Sequence, residues 1–299
     1  MYRFWTVLSV VMVLCVTMAS GVKADPDYSV FETHEWGTVN WSMRTVRAHS
    51  SVTPLEKTSP RDLNKQDRLV ELARSQASSN LIASILSLPL DSERLASSAI
   101  GSNSDIMDQI KAMVNQSRLI KKDYLTDGSV EMVIEMSFDG GFSQLLLPEE
   151  IQQIQPLKTV TERTSEKGLV SQESDPNPDV PVPFTGLIVD TRGLTVHPVL
   201  SPILLDENGQ EVYGPAYISR EYAVQNGPVY YSQSIKDPFI TQRVGENPLV
   251  VTGLKTQGTF QGDIVISNAD ASKLHSNSAH LVFLNHCLVV ILIDSGTSK

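Results

Sequence analysis

Cysteine is nearly absent from this chain: 2 in 299 residues. If Cys15 is removed with a leader, Cys287 stands alone and no internal disulfide can form, so stability has to come from packed cores. Long apolar runs are missing too. The stretch from Phe4 to Ala19 falls short of the roughly 20 residues a spanning helix needs, and Leu288 to Ile293, ended by Asp294, falls further short. Basic clusters are also lacking. Lys121-Lys122 is a pair followed by Asp123, and the whole chain has a formal net charge of −10. Nucleic acid is a poor partner for such a surface, whose charge mainly favours solubility. Neither a Gly-x-Ser-x-Gly elbow nor a phosphate-binding glycine loop occurs. Gly140-Gly141-Phe142-Ser143 comes nearest and reads as a turn ending a strand.

What is present begins at the N-terminus. Arg3, the apolar Val7 to Val16, and Val22-Lys23-Ala24 have the order of a secretory signal peptide over residues 1–24, with cleavage expected after Ala24. Lipidation at Cys15 needs small residues before it, and Val13 and Leu14 stand there instead. The expected location is periplasmic or otherwise secreted. Loss of Arg3 and Lys23 would leave a net charge of about −12, and no membrane span would remain after cleavage.

The remaining length suits two domains. Between Gln155 and Pro183 the chain passes through Thr, Ser, Glu and Lys, then Asp175-Pro176-Asn177-Pro178-Asp179-Val180-Pro181-Val182-Pro183. That composition reads as a solvated, semi-extended linker over 156–183, between a first domain at 34–150 and a second at 184–295.

In the first domain, Val39, Trp41 and Met43 share one parity and Val46 and Ala48 the other, which predicts a strand from Trp36 to Ala48 with a bulge near Arg44-Thr45. Asn64 can cap a helix whose Leu69, Ala73, Ala77, Leu81, Ile85 and Leu88 fall on one face. A second helix is expected from the cap Ser104, with Ile106, Ile110 and Met113 or Val114 inward. Two strands follow around Asp127-Gly128. In the second of them Val130, Met132, Ile134, Met136 and Phe138 alternate with Glu131, Glu135 and Ser137, as in a sheet covered on one side. Glu149-Glu150 reads as the start of a short polar helix, favoured by its dipole.

Three segments carry a resemblance: Gly37-Thr38-Val39-Asn40-Trp41-Ser42, the Ala-rich helix from Arg74-Ser75-Gln76-Ala77, and Asp127-Gly128-Ser129-Val130-Glu131-Met132-Val133-Ile134-Glu135-Met136. Together, over about Trp36 to Glu150, they resemble the Lpp-twenty lipoprotein domain family, which is similar to the N-terminal domain of flagellar assembly protein T. The resemblance implies the bacterial envelope and a part in flagellar or outer-membrane structures, with no catalytic residues to carry across. Many relatives are lipid-anchored. This chain departs from them there, so membrane association would have to come through a partner.

The second domain predicts a strand at Leu187 to Asp190, a hairpin of Val199–Leu205 and Gln210–Tyr213 around Asp206-Glu207-Asn208-Gly209, and a helix from Ile218 to Val224 ended by Gly227. Strands follow at Val229–Ser232, Leu249–Lys255 and Asp263–Ser267, then a helix opened by Asn268 and a last strand at Cys287–Asp294. That strand is apolar on both faces and belongs inside a sheet. Tyr230 and Tyr231 should point to opposite faces. The fold class is therefore α+β, two small modules, the first strand-helix-helix-strand-strand and the second a mixed sheet with helices.

Candidate chemistry is sparse. His34, His49, His197, His275, His280 and His286 include three near the C-terminus beside Cys287, but their spacing fits neither one helical face nor a zinc pattern. Asp206-Glu207-Asn208-Gly209 lacks calcium-loop spacing and reads as a turn. Cys287 reads as a small buried hydrophobe. No residue is assigned a catalytic, cofactor-binding or metal-binding role, and no cofactor is expected. The functional expectation is an exported, non-catalytic envelope adaptor or assembly factor, with other envelope or flagellar proteins or its own copies as partners and exposed strand edges as the means of contact. The alternative is a periplasmic small-ligand or glycan-binding module.

Overall fold

The structure, a computed structural model, describes residues 28–54, 63–101, 103–151 and 183–294. The leader at 1–24 and, apart from Pro183, the linker at 156–183 lie outside the described residues. The fold is α+β with two modules, an antiparallel sheet in the first and a mixed sheet with helices in the second.

The first module runs β1 (Phe31–His34), β2 (Gly37–Asn40), β3 (Thr45–Val52), α1 (Leu63–Leu86), α2 (Ala96–Ile100), α3 (Ser104–Asn115), β4 (Arg118–Tyr124), β5 (Val130–Ser137) and α4 (Gly141–Leu146). Its strands are ordered β1-β2-β3-β5-β4. The single bulged strand expected from Trp36 to Ala48 is in fact β2 and β3 of a hairpin. Asn40 Oδ1 accepts the Met43 amide at 2.8 Å, and Arg44 adopts φ 52°, so the parity slip near Arg44 marks a chain reversal. β1 and α2 are additions to the expected order. Asn103, rather than Ser104, caps α3, its side chain accepting the amides of Asp105 and Ile106. Gly141 opens the short α4, and Glu149-Glu150 sits in a turn after it, while the residues from 152 onward that a helix there would need lie outside the described residues.

Helix α1 covers one face of this sheet. Leu69, Ala73, Ala77, Leu81 and Ile85 are buried, as are Val46, Ala48, Val130, Met132 and Ile134. The small alanines allow close approach of helix and sheet. The other face is open. There Glu135 of β5 lies in register with Arg47 of β3 and Arg118 of β4, and its carboxylate, 6% exposed, accepts from both guanidinium groups.

The second module runs β6 (Leu187–Asp190), β7 (Leu204–Leu205), β8 (Glu211–Tyr213), α5 (Arg220–Asn226), β9 (Tyr230–Ser232), α6 (Pro238–Val244), β10 (Leu249–Gln257), β11 (Asp263–Ile266), α7 (Asn268–His275), α8 (Ser278–Asn285) and β12 (Val289–Leu292). The strand order is β8-β7-β11-β10-β6-β12-β9, with β10, β6, β12 and β9 mutually parallel. Strand β12 lies between β6 and β9 with all four residues buried. Val289 and Ile291 join the main core, and Val290 and Leu292 pack with Ile240 and Val244 of α6.

Helices α6 and α8 are further additions. Asp237-Pro238 opens α6: the Asp237 carboxylate accepts the Phe239 amide at 2.9 Å and proline occupies the first turn. The strand expected at Val199–Leu205 shrinks to Leu204–Leu205, because Pro198 and Pro202 have no amide to give a ladder.

The two modules share one continuous core. Trp41 packs between Phe138 of its own module and Tyr231 of the other, at 6.0 and 6.3 Å between ring centroids. Backbone bonds cross the boundary at Gln233 N to Tyr28 O, Gly140 N to Val224 O, Leu200 N to Pro89 O, Ser201 N to Leu90 O and Phe260 N to Ser92 O. Arg220 donates to the carbonyls of Gln144 and Pro148. Arg44, buried and bonded to Asp139 Oδ1 at 2.6 Å, lies against Gly227, where an added Cβ would sit 2.1 Å from a guanidinium nitrogen. Gly227 also has φ 73°, so two constraints select glycine.

Gly227→Ala is expected to destabilise the protein by about 1–3 kcal/mol in denaturant unfolding, from backbone strain alone and before any displacement of Arg44. The bonds from Arg118 and Arg47 outweigh burial and hold the Glu135 carboxyl below its ordinary range. A lowered native value contributes stability that is complete above the ordinary glutamate range and is lost as pH falls through the lowered value. Glu135→Gln should therefore flatten the acid limb of the stability profile, measured as unfolding midpoint against pH.

Candidate functional site

The residues from Arg118 to Leu125 are the most exposed strand segment of the structure. Among the described residues β4 is an edge, paired only with β5. Leu119, Ile120, Tyr124 and Leu125 are large apolar side chains left exposed on and just after it. A bulge at Ile120 shifts the parity of the strand. Arg118, Lys121 and Asp123 face the open side, in register with Glu135, Val133 and Glu131, while Leu119, Lys122 and Tyr124 are in register with Ile134, Met132 and Val130. Lys121 bonds Asp123 at 2.6 Å and approaches Glu131, which raises its proton affinity. The Lys122 ammonium lies 5.5 Å from the centre of the Tyr124 ring.

Lysines and a bulge are the features by which edge strands resist indiscriminate pairing. In an antiparallel pairing of two copies centred on β4, Lys121 would oppose Lys121, a like-charge contact that weakens the pair. The backbone is open to a strand, but the charges disfavour this chain's own copy in that register. The other edges are shorter: β1 has 4 residues, and β8 and β9 have 3 each.

A second surface is a half-open cleft of about 580 Å³ beside the boundary between the modules, lined by Glu150, Glu211, Pro215, Ala216, Tyr217, Ile218 and Asn285. Glu211 Oε1 accepts the Ala216 amide at 3.1 Å, and the Tyr217 hydroxyl donates to Glu211 O. Burial, followed by the nearby Glu211 charge, raises the Tyr217 phenol above its ordinary range.

The histidines are dispersed. His275 stacks on Tyr217 at 5.1 Å and its Nε2 lies 3.2 Å from Val212 O. His280 packs with Phe184 and Phe283, with Nδ1 3.0 Å from Lys273 O. His286 lies over Tyr222 at 4.1 Å, His34 is 3.7 Å from Glu32, His49 accepts at its backbone from Asn80, and the His197 amide donates to Gln261 O. Among the described residues, no three His, Cys, Asp or Glu side chains group so as to hold a metal ion.

The acidic loop behaves as a turn. Asp206 Oδ1 accepts the amides of Asn208 and Gln210, and Gly209 takes φ 79°. Tyr231 enters the core while Tyr230, on the opposite face, bonds Asp237. Cys287 is fully buried with φ 59°, and burial pushes its thiol up to about 11, against the opposing charge of Arg243 and the hydroxyl of Tyr213.

The sequence reading missed Arg44, Asp139 and Arg243 as the polar fastenings around Gly227. It also did not single out β4 as an exposed edge; the run of charge at 118–123, which interrupts strand periodicity, is the signal that could have found it. Residues 186–295 match a family model described as Treponema pallidum Tp0624, second domain. The match falls in the second module and leaves the first outside it. No match is found among curated proteins.

At pH 8 Cys287 should be inert in the native protein, since the thiolate is the reacting form and this thiol is both buried and protonated. Labelling by a maleimide is expected to follow global unfolding across a urea series. Rapid labelling without denaturant would contradict that burial.

Proposed function

We propose that this is an exported, non-catalytic protein of the bacterial cell envelope that works as an adaptor or assembly factor by adding a partner's extended segment to β4. The observation that carries the proposal is the free edge from Arg118 to Tyr124 with its exposed apolar side chains. Backbone pairing supplies affinity in such a mode, and alternate side chains supply selectivity. Arg118 and Lys121 are engaged by Glu135, Asp123 and Glu131, so Lys122 and the exposed apolar side chains would carry the selectivity of this edge, and Lys121 opposite Lys121 disfavours a second copy of this chain in the central register. The resemblance of the first module to Lpp-twenty domains supports the envelope, and flagellar or outer-membrane assemblies are the partners to look for. In the described residues no helix is long and apolar enough to cross a membrane.

A small-ligand or glycan-binding role is the second reading, favoured by the cleft around Tyr217. The test is cross-linked recovery from intact cells with a C-terminal tag, comparing wild type with Lys121→Glu/Lys122→Glu and sequencing the N-terminus of the recovered protein. Envelope or flagellar components should be recovered with wild type and fall at least tenfold with the charge-reversed edge, and the chain should start at Asp25. Equal recovery with both proteins would remove β4 from the interface. A chain recovered alone with a bound small molecule would favour the cleft instead.

A further inference from the structure

The edge of β4 is not uniform along its length, and its backbone decides which residues a partner strand can reach. Antiparallel neighbours alternate between residues that exchange backbone hydrogen bonds and residues that turn those groups away. The phase is set at the hairpin, where the Leu125 amide donates to Ser129 O at 2.8 Å and Leu125 O accepts from Gly128 N at 3.0 Å. From there the register runs without a shift through Tyr124–Val130, Asp123–Glu131, Lys122–Met132 and Lys121–Val133. Leu125, Asp123 and Lys121 therefore direct their N–H and C=O groups to β5, and Tyr124 and Lys122 direct theirs outward. Beyond Lys121 the bulge at Ile120 breaks this phase. The regular part of the edge thus offers its free donors and acceptors from Lys122 and Tyr124.

The side chains of these two residues lie on one face of the sheet and act as a pair. Both are exposed, and the Lys122 ammonium lies 5.5 Å from the centre of the Tyr124 ring. The neighbouring cations point to the other face and are already matched. Arg118 bonds Glu135, and Lys121 bonds Asp123 at 2.6 Å and approaches Glu131 at 3.8 Å. Lys122, by contrast, meets no carboxylate among the described residues. Its charge is left to act across the edge, beside an aromatic ring that is 55% exposed as a residue.

We propose, resting on the reading of β4 as the docking edge, that this edge selects an extended segment of the pattern apolar-x-acid. The segment pairs antiparallel, with its apolar residue opposite Tyr124 and its Asp or Glu, two residues later, opposite Lys122. Antiparallel pairing continues the sense of β3, β5 and β4 and is slightly more stable per residue than parallel pairing. Residues directly opposite place their side chains on the same face, so the acid reaches the ammonium and the apolar side chain covers the ring. Strand direction fixes the order, since the residue facing Tyr124 precedes the one facing Lys122. A second copy of this chain does not offer that pattern. The register that joins the same outward groups sets Lys122 opposite Tyr124 and brings Asp123 against Asp123, a like-charge pair.

The probe is a synthetic peptide, Ser-Thr-Phe-Thr-Glu-Thr-Ser, with two controls: one carries Lys in place of Glu, the other has Phe and Glu exchanged. Each is titrated into the full chain at low salt, with amide exchange followed residue by residue. The first peptide should bind about fivefold more tightly than either control. It should slow exchange at the Lys122 and Tyr124 amides and leave Asp123, already bonded to β5, unchanged. Lys122→Glu should reverse the preference between the Glu and Lys peptides, and Lys122→Met should abolish it. Equal affinity for all three peptides, with both amides protected, would overturn the apolar-x-acid preference and leave the edge reading standing. Protection of neither amide by any peptide would overturn both. A dimer of the chain alone that protects the same two amides would assign the edge to a second copy and overturn the proposal.

Discussion

The structure depends on the burial of Tyr231. Its ring meets the edge of Trp41 from the first module, its hydroxyl both donates to Val199 O and accepts from Val199 N, and its carbonyl accepts the Ser42 hydroxyl. A fully buried phenol is tolerated only when its hydroxyl is satisfied, and here one residue of a proline-bounded loop satisfies it completely. That requirement fixes the Val199 loop over the core. The same loop then supplies Leu200 and Ser201 to the boundary with the first module. Ordering of one aromatic residue thus positions the two modules, whose apolar interiors merge into one core.

Around that shared core, the acidic residues have been given different environments. Glu135 is held between two arginines on an open sheet face, and Asp237 is buried as a helix cap that also accepts from Tyr230 and Ser232. Asp263 is half-buried and accepts the Ile203 amide. The basic residues of β4 meanwhile stay at the surface. The resulting body has a shared buried core and a charged strand edge at β4.

Several parts of this were legible in sequence because they depend on local periodicity. The alternation from Val130 to Phe138 has one face in the core and the other open, and the α1 stripe of Leu69, Ala73, Ala77, Leu81 and Ile85 is buried throughout. Gly227 does end α5, and the apolar run before Asp294 does lie within the sheet. The hairpin at Arg44 was read as a bulge because a reversal and an extra residue produce the same parity change. α8 was missed because Ser278 to Asn285 carries apolar residues without a clear stripe, Leu281 and Val282 remaining exposed. The Asp237-Pro238 signal for α6 was present in the sequence but lay in a short segment.

By itself the sequence determined the α+β class, the α1 face, the β5 alternation, and a turn at Asp206 to Gly209. Those features are set by side-chain period and by the turn chemistry of adjacent residues, which act over a few positions of chain. Only the tertiary structure decided that the modules share a core, that Arg44 would rest on Gly227, that β4 would be an open edge, and that Thr259 would bond Glu93 across the boundary. Each of these joins residues far apart in the chain. Their energies come from burial and from charges brought together in a medium of low dielectric, and no local pattern records which distant partner will be there.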